Sequence, residues 1–267
     1  MANAGVIRVG VFGAGGRMGS TVCHAVHADP DLELVAAVDP HHAGIDLGQL
    51  GLHGTGLEIS AGPAALVDAA ADVAVDFTVV GAARQNLRFC ADNGVHAVVG
   101  TTGFSDAELV DFAAWFAEGR ANAVIAPNFA IGAVLMMRFA ELAAPYFETA
   151  EIIELHHDAK IDAPSGTAIA TAKRMAAASS EWSADPTTTF VSAGARGATV
   201  DGIPVHSVRL HGLVAHQEVL LGTTGQSLVI RHDSYDRSSF MPGVLLAAKG
   251  IALRPGLTIG LEAFLGV

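Results

Sequence analysis

The chain has 267 residues, of which 51% are hydrophobic and 16% are charged, and 15 Lys and Arg against 27 Asp and Glu give a formal net charge of −12. This length and hydrophobic content predict one large or two modest folded domains and exclude an intrinsically disordered chain. The acidic balance argues against a nucleic-acid partner, because nucleic-acid affinity depends on a basic surface.

A membrane-spanning segment is not predicted, although the mean hydropathy is positive at +0.43. The longest stretch without Asp, Glu, Lys or Arg is residues 121–137, and it contains a proline and two asparagines. A spanning helix needs about 20 mostly apolar residues. No secretion signal is expected either, since Arg8 interrupts the first apolar run and a glycine loop follows it. These patterns predict a cytoplasmic protein with no membrane partner.

The first half of the chain alternates short apolar runs with helical patterns. Strands are predicted at residues 6–12, 32–38, 73–77, 95–99 and 123–125, and helices at residues 20–28, 82–93 and 106–117. Strands that alternate with helices build a parallel sheet covered on both faces. We therefore predict an N-terminal Rossmann-type domain with a doubly wound parallel α/β sheet.

The second half has a different pattern. A helix at 130–147, a strand at 151–156 and a helix that begins near Ser165 are followed by apolar runs at 205–210, 218–221 and 228–232. A glycine-containing turn joins the last two runs, which predicts an antiparallel meander. From Pro242 a helix and a final strand at 257–261 follow. We predict a C-terminal α+β domain with a largely antiparallel sheet, and a tail that packs back on the first domain.

A glycine-rich segment lies between the first predicted strand and its helix, where Rossmann-type domains bind the pyrophosphate of a dinucleotide. Glycines permit a tight turn and close approach of the phosphates, and the helix N-terminus favours their negative charge. The spacing is G-x-x-G-x-x-G, because Met18 occupies the last glycine position of the usual G-x-G-x-x-G. The candidate cofactor-binding residues in this loop are Gly13, Ala14, Gly15, Gly16, Arg17 and Met18.

Asp39 supports this interpretation, because it ends the second predicted strand 20 residues after Gly19. An acidic side chain at that place accepts hydrogen bonds from the adenosine ribose. Its charge repels a 2′-phosphate and favours NADH, whereas the nearby Arg17, His41 and His42 can offset the repulsion. The sequence therefore leaves both NADH and NADPH open as the cofactor.

Two later strands end in loops that suit the nicotinamide half of the cofactor, since ligands of open α/β sheets bind beyond the carboxyl ends of the strands. An asparagine in the second loop can hydrogen-bond an amide or a ribose, although it can equally shape the turn. The candidate residues are Gly100, Thr101, Thr102, Ala126, Pro127, Asn128 and Phe129.

The densest concentration of reactive side chains follows the strand predicted at residues 151–156. Two adjacent histidines point to opposite faces by strand periodicity, and a lysine follows in a short loop. Ser165 is suited to cap a helix whose N-terminus presents free N–H groups to an anion. In a chain of charge −12, such a positive cluster predicts a cleft for a small anion such as a carboxylate. Its members are His156, His157, Lys160, Gly166 and Thr167.

A metal site is not predicted. The sequence has no His-Glu-x-x-His helix, and adjacent histidines on a strand diverge. Cys23 and Cys90 lie in separate predicted helices, so we expect two buried free thiols and neither a disulfide nor a paired thiolate site.

Together these segments resemble the 4-hydroxy-tetrahydrodipicolinate reductase family, also called dihydrodipicolinate reductase, over nearly the whole chain. The resemblance implies an NAD(P)H-dependent oxidoreductase that reduces a small cyclic dicarboxylate to tetrahydrodipicolinate in lysine biosynthesis through diaminopimelate. It is carried by residues 13–19, 76–78, 100–103 and 126–129, and above all by Glu-Leu-His-His at 154–157 with Lys-Ile-Asp-Ala-Pro-Ser-Gly-Thr-Ala at 160–168.

The resemblance also implies roles for individual residues. His156 is expected to act as a proton donor or acceptor, and Lys160 as a second proton donor. His157, Gly166 and Thr167 match the substrate-binding positions of the family. The glycine loop and the two strand-end loops match its cofactor-binding positions.

The resemblance finally implies a division of labour along the chain. Residues 1–129, completed by 241–267, are expected to form a dinucleotide-binding domain. Residues 130–240 are expected to form a domain for substrate binding and oligomerisation. Members of the family are homotetramers that associate through the C-terminal sheet, so we expect a homotetramer.

Two alternatives remain at this point. Another two-domain NAD(P)-dependent dehydrogenase would share the glycine loop, but the pairing of His-His-x-x-Lys with Ser-Gly-Thr argues against it. A nicotinamide-binding redox sensor without turnover would need only the glycine loop and Asp39, and the presence of Lys160 and both histidines argues against that function.

Overall fold

The computed structural model describes residues 5–117 and 119–267. These residues divide into two compact units. The first unit contains the described residues up to Phe129 together with Phe240–Gly266, and the second contains Ala130–Ser239. The tail up to Gly266 thus belongs to the first unit although it follows nearly all of the second.

The strands and α-helices are as follows. The strands are β1 (Ile7–Phe12), β2 (Leu32–Val38), β3 (Ile59–Ser60), β4 (Val73–Asp76), β5 (His96–Val99), β6 (Ala123–Ile125), β7 (Thr149–His156), β8 (Ala198–Val200), β9 (Ile203–Arg209), β10 (Ala215–Thr223), β11 (Gln226–Ser234) and β12 (Leu257–Ile259). The helices are α1 (Arg17–Ala28), α2 (Ala64–Asp68), α3 (Val80–Asn93), α4 (Asp106–Phe116), α5 (Ile131–Ala143), α6 (Gly166–Ala178), α7 (Met241–Gly250) and α8 (Glu262–Leu265).

The first unit is built on a seven-stranded sheet in the order β12-β6-β5-β4-β1-β2-β3. Its strand pairs are parallel. The chain runs from β1 through β2 to β3 on one side and from β4 through β5 to β6 on the other, so the winding reverses between β1 and β4. Ligands of such sheets bind beyond the strand ends at this reversal. The prediction of a doubly wound parallel sheet is confirmed.

The central strands of the first sheet are apolar because helices cover them. β4 is buried at all four positions, and so are the last four residues of β1. α1 packs on β1 and β2, and α3 packs on β4 and β5. Val22 and Val26 of α1 and Leu87 of α3 are almost completely buried. Burial of each such side chain stabilises the fold by roughly 1.5–3 kcal/mol. Together they hold the loops at the strand ends in place.

Both cysteines are buried and free, as predicted. Burial raises the pKa of the Cys23 thiol to about 12 and also raises the pKa of Cys90. Because the thiolate is the reactive form of cysteine, burial makes both side chains inert packing groups at neutral pH.

The second unit contains a five-stranded sheet in the order β11-β10-β7-β9-β8. β7 and β9 are parallel and the other neighbours are antiparallel. The prediction of a largely antiparallel sheet is confirmed, and β10 and β11 form the predicted antiparallel pair with its glycine-containing turn. The prediction that β9 belongs to this meander is wrong, because β9 lies on the opposite side of β7 from β10. The cause is α6, which lies between β7 and β9 in the chain and provides the crossover that parallel pairing requires.

Helices cover one face of the second sheet. α6 packs on β7 and β9, and α5 packs on β11. Strand alternation places Ile152, Glu154 and His156 of β7 on this face, where Ile152 and Glu154 are completely buried. A charged residue therefore lies in the same buried row as an isoleucine.

Some element boundaries differ from the predictions. The helix predicted at 130–147 ends at Ala143 and continues as a 3₁₀ turn, because Pro145 cannot donate an N–H. The last strand ends at Ile259, since Gly260 adopts φ of +87°. β3, β8, α2 and α8 are too short to show a hydrophobic period and were not predicted. None of the described helices is long and apolar enough to cross a membrane.

Candidate active site

The glycine loop connects β1 to α1 through a tight turn. Gly13 has φ of +68°, which favours glycine, and its N–H donates to the carbonyl oxygen of Val38 at 2.7 Å. The N–H of Gly16 donates to the Gly13 carbonyl at 2.9 Å. A Cβ on Gly19 would lie 2.0 Å from that same oxygen. Only glycine therefore lets the first turn of α1 approach the loop this closely.

No described side chain caps the N-terminus of α1, because the N-cap residue is Gly16, and the first helical turn contains no acidic residue. The N–H groups of this turn and the positive end of the helix dipole therefore suit an anion. Such a cradle fits the pyrophosphate of a dinucleotide.

Asp39 is buried at the carboxyl end of β2 and faces the glycine loop. Its Oδ2 accepts the N–H of Gly15 at 3.2 Å and lies 2.9 Å from Nδ1 of His42. Its Oδ1 accepts the N–H of His41 at 3.0 Å. A Cβ on Gly15 would lie 2.3 Å from the His42 ring. The structure thus brings Asp39, the loop and His42 together, whereas Arg17 is exposed.

Three further loops meet at the same edge of the first sheet. The Thr101 hydroxyl donates to the carbonyl oxygen of Thr78 at 2.7 Å, which links the loops after β5 and β4. The rings of Phe77 and Phe129 have centroids 5.6 Å apart and link the loops after β4 and β6. A Cβ on Gly100 would lie 2.0 Å from the Phe77 ring. The two predicted strand-end loops are therefore held side by side.

Members of the strand-end loops differ in exposure. Ala126 and Phe129 are buried, and the N–H of Ala126 donates to the end of β5 at 3.0 Å. Thr102 and Pro127 are exposed, and Asn128 is half-buried. The buried members fix the backbone, while the exposed members border the space beyond the strand ends.

The second predicted site, which we call the histidine cluster, comprises His156, His157, Lys160, Gly166 and Thr167. His156 is the last residue of β7, and 16% of its side chain is exposed. Its Nδ1 lies 2.5 Å from Oε2 of Glu154 on the same face of the strand. An ionised carboxylate only accepts hydrogen bonds, so Nδ1 carries the proton and Nε2 is the ring nitrogen left for chemistry. His157 is exposed.

Lys160 lies in the turn that follows β7, where its N–H donates to the carbonyl oxygen of His157 at 3.2 Å. Its Nζ donates to both carboxylate oxygens of Asp162, at 2.7 and 2.8 Å. The side chain of Asp162 is 61% exposed, and an exposed ion pair of this kind is weak. The Lys160 amine is therefore held near the end of β7 by a partner that another anion can replace.

The start of α6 is fixed on one side and open on the other. The Ser165 hydroxyl accepts the N–H of Ala168 at 3.2 Å, which makes Ser165 the N-cap, as predicted. The N–H of Ser165 donates to Oε1 of Glu154 at 3.2 Å. Gly166 is exposed with open space at its Cβ position, and Thr167 is half-buried. The helix N-terminus is thus anchored on Glu154 and accessible at the two predicted residues.

Arg209 and Glu154 are the two members of this region whose importance the sequence analysis missed. Arg209 ends β9 opposite His156. Its Nη1 donates to Oε2 of Glu154 at 2.8 Å, and its Nη2 donates to Oε1 at 2.9 Å. The available signal was a charged residue inside each apolar strand, since charged residues are rarely buried without a partner.

Charge and burial act against each other in this region. Burial opposes ionisation of Glu154, but the hydrogen bonds that it accepts, above all those from Arg209, outweigh burial and lower its pKa. Burial lowers the pKa of His156 below its ordinary value of 6.5. Glu154 opposes this shift, whereas the positive charges of Lys160 and Arg209 reinforce it. At neutral pH the region therefore holds an ionised carboxylate beside a mostly neutral imidazole.

Other features of the described residues lie apart from the histidine cluster. Among the residues that the structure describes, no group of three or more His, Cys, Asp or Glu side chains is arranged to hold a metal ion. A cavity of ≈ 400 Å³ is lined in part by Glu151, Trp182 and Arg196. Strand alternation directs Glu151 to the face opposite His156, so this cavity is a separate feature.

Both halves of the chain match one family of known proteins. Residues 7–129 match the family described as dihydrodipicolinate reductase, N-terminus. Residues 132–265 match the family described as dihydrodipicolinate reductase, C-terminus. The two matches together cover nearly all of the chain.

Individual relatives extend over the full length. The chain is 53% identical over 261 residues to the 4-hydroxy-tetrahydrodipicolinate reductase of Mycobacterium sp. (strain KMS), with 97% of this chain and 99% of the relative covered. It is 54% identical over 264 residues to the enzyme of that name from Nocardia farcinica (strain IFM 10152), with 97% and 98% covered. The structure of dipicolinate-bound dihydrodipicolinate reductase from Paenisporosarcina sp. TG-14 is 42% identical, with a TM-score of 0.85 and 97% and 99% covered.

These full-length matches favour a reductase over the other dehydrogenase and the redox sensor that the sequence had left open. They also agree with the parallel sheet and the glycine loop of the first unit. The chain therefore belongs to the dihydrodipicolinate reductase family, which comprises NAD(P)H-dependent oxidoreductases of lysine biosynthesis.

Proposed function

We propose that the chain reduces 4-hydroxy-tetrahydrodipicolinate to tetrahydrodipicolinate and that the histidine cluster is its substrate site. The ring takes up one hydride and one proton and loses water in this conversion. The observation that carries the assignment is His156 at the end of β7, bonded through Nδ1 to Glu154, with the Lys160 amine in the next turn.

The first unit would hold the nicotinamide cofactor. The backbone of residues 13–18 suits the pyrophosphate, and Asp39 suits the adenosine ribose. The loops at residues 100–102 and 126–129 suit the nicotinamide half. When bound, the cofactor supplies the hydride. His42 beside Asp39 is the residue best placed to offset the repulsion of a 2′-phosphate, so both NADH and NADPH fit the site.

The histidine cluster would hold the two substrate carboxylates. His157 and Gly166 are exposed, and the N-terminus of α6 presents N–H groups beside the Thr167 hydroxyl. The Lys160 amine adds a positive charge on the same loop. The Paenisporosarcina relative was solved with dipicolinate bound, and dipicolinate is itself a planar ring with two carboxylates.

His156 and Lys160 would supply the proton that reduction of the ring requires. Nε2 of His156 is the free ring nitrogen because Nδ1 is committed to Glu154, and it can donate a proton only as the imidazolium, after it has taken one up. The Lys160 ammonium pairs with Asp162. It becomes a second proton donor once a substrate carboxylate replaces Asp162 as its partner. A general acid positioned in this way typically raises the rate by roughly 10²–10⁴-fold.

The cellular setting proposed for the enzyme is the cytoplasm. A biosynthetic reductase consumes a reduced nicotinamide nucleotide, which is held in that compartment. Both thiols are buried and reduced, which also suits a reducing environment.

The assembly proposed is a homotetramer that associates through the second sheet. Strand register places Ile153, Leu220 and Val229 on the face opposite the helices, and Val229 is 54% exposed. Burial of such apolar side chains favours association. Sedimentation should give a tetramer for the wild type and smaller species for Val229→Asp; a wild-type monomer would contradict the assembly.

The activity is tested by following the absorbance of NADH or NADPH with the condensation product of aspartate semialdehyde and pyruvate as substrate. Wild-type protein should consume the nucleotide only when that product is present. His156→Gln should bind the nucleotide normally and turn over at least about 10²-fold more slowly. Full activity of His156→Gln would place the substrate site elsewhere.

A further inference from the structure

Glu154 is a completely buried carboxylate that accepts hydrogen bonds from several directions. Its Oε2 lies 2.5 Å from His156 Nδ1 and accepts Nη1 of Arg209 at 2.8 Å. Its Oε1 accepts Nη2 of Arg209 at 2.9 Å and the N–H of Ser165 at 3.2 Å. One side chain therefore connects the end of β7, the end of β9 and the start of α6.

Arg209 extends this connection to the loop that carries Lys160. Its Nη2 donates to the carbonyl oxygen of Asp162 at 2.6 Å, and its Nε donates to the carbonyl oxygen of Lys160 at 3.3 Å. The guanidinium thus bonds to the loop backbone on one side and to Glu154 on the other. Its planar, multidonor shape is what permits both at once.

The energetic balance argues that this pair is not present for stability alone. Removing two charges from water costs several kcal/mol for each ion, roughly as much as their attraction returns, and apolar residues of similar volume often stabilise a core as well or better. The neighbouring position in the same row of the sheet is Ile152, which is completely buried and apolar. A carboxylate at this position can accept hydrogen bonds from His156 and from the N–H of Ser165, the N-cap of α6, which an apolar side chain cannot do.

We propose that Glu154 and Arg209 form a positioning pair for the reaction. Glu154 holds the imidazole of His156 in the tautomer that leaves Nε2 free for proton transfer, and Arg209 holds the loop that places Lys160. Neither residue needs to touch the substrate. This inference rests on the proposed function, since it assigns the pair to the two proton donors named there.

The charged groups that face His156 come from three elements. Glu154 lies on its own strand, Arg209 on β9 and Lys160 on the loop after β7. Only Glu154 favours the imidazolium, and the other two disfavour it. Loss of the Glu154 charge should therefore shift the His156 limb of the pH–rate profile to lower pH.

The test uses two variants of the full chain. Glu154→Gln removes the charge with little change of shape, and the double variant Glu154→Leu with Arg209→Leu removes the pair without leaving one charge unpaired. We expect kcat to fall about ten- to a hundredfold in both, with the dissociation constant for NADH within twofold of the wild type. In Glu154→Gln the His156 limb should also move to lower pH.

The direct readout is ¹⁵N NMR of histidine-labelled protein, which distinguishes the two imidazole tautomers. His156 should be protonated at Nδ1 in the wild type and lose that preference in the double variant. Glu151→Gln is the matched control, because Glu151 lies on the same strand, contacts His206 and Arg196, and faces the other side of the sheet. Its kcat should stay within twofold of the wild type.

The outcomes separate this inference from the proposed function. If the folded double variant keeps the Nδ1-protonated tautomer or wild-type kcat, the positioning pair is wrong while the reductase assignment stands. If wild-type protein does not consume NADH or NADPH with the condensation product, the proposed function is wrong, and the tautomer measurement still reports on Glu154 and His156. The inference would also be overturned if kcat fell no further in Glu154→Gln and in the double variant than in the control Glu151→Gln.

Discussion

Asp39 accepts the backbone N–H of Gly15 at 3.2 Å, so the residue that ends β2 is bonded to the middle of the glycine loop. The same carboxylate oxygen lies 2.9 Å from Nδ1 of His42. A ribose hydroxyl that binds Asp39 must share the carboxylate with these two groups. Asp39 therefore orders the glycine loop in addition to its proposed contact with the nucleotide.

Asp39→Ala should weaken NADH binding about tenfold or more, since a hydrogen bond to a charged group contributes roughly 1.5–3 kcal/mol. The affinity for NADPH should fall less, because the substitution also removes the charge that repels the 2′-phosphate. Fluorescence titration with each nucleotide measures both effects. Asp31→Ala, at an exposed acid that pairs with Lys249, is the control and should bind both as the wild type does. Equal weakening of NADH and NADPH would rule out the ribose contact.

Gly19→Ala should destabilise the protein and abolish tight nucleotide binding. The new Cβ would lie 2.0 Å from the Gly13 carbonyl oxygen, and forcing an extra methyl into a packed site costs about 1–3 kcal/mol. Urea unfolding and NADH titration report the two losses.

Gly81→Ala is the control for Gly19→Ala. Gly81 also lies in the first turn of a helix, α3, and has nothing within 4 Å of its Cβ position. Alanine there should raise the free energy of unfolding by about 0.4–1 kcal/mol, because it lowers the conformational entropy of the unfolded chain. NADH binding should be unchanged. Similar losses for both variants would show that close packing at Gly19 is not the cause.

The parallel, doubly wound character of the first sheet could be predicted because most of its strands alternate with helices, which provide the crossovers that parallel pairing requires. In the second sheet the apolar runs predicted strands but not their neighbours. Alternation along residues 205–210 assigns a face to each side chain and says nothing about which strand lies beside it. The parallel pairing of β9 with β7 is settled by α6 and by the packing of both strands against it.

The same distinction applies to the candidate site, where neighbours in the chain could be predicted to lie together and distant residues could not. His156 and Lys160 are four residues apart in the chain, so a local pattern was enough to bring them together. Arg209 lies 55 residues beyond Glu154, and no local period connects the two. Their contact depends on the register of β7 with β9, which only the folded sheet provides. The placement of His42 over Gly15 likewise depends on the turn after β2.

Lys160→Ala should lower kcat by about 10²-fold or more, the usual scale for loss of a proton donor, and leave NADH binding nearly unchanged. Lys173→Ala, at an exposed lysine of α6, is the matched control and should be fully active. Steady-state turnover with the condensation product and a separate NADH titration distinguish chemistry from binding. Unchanged turnover of Lys160→Ala would exclude the lysine as a donor.

The pH dependence of turnover should follow His156. Burial lowers its pKa below 6.5, so if the imidazolium is the donor, kcat/KM should fall as pH rises through a limb below that value. The two carboxylates of a bound substrate favour the charged imidazole, so the corresponding limb of kcat should lie at higher pH, because kcat reports the enzyme–substrate complex. His156→Gln should lose both limbs, whereas His27→Gln, at an exposed position of α1, should keep them. Activity that rises with pH through the same limb would make His156 a proton acceptor instead.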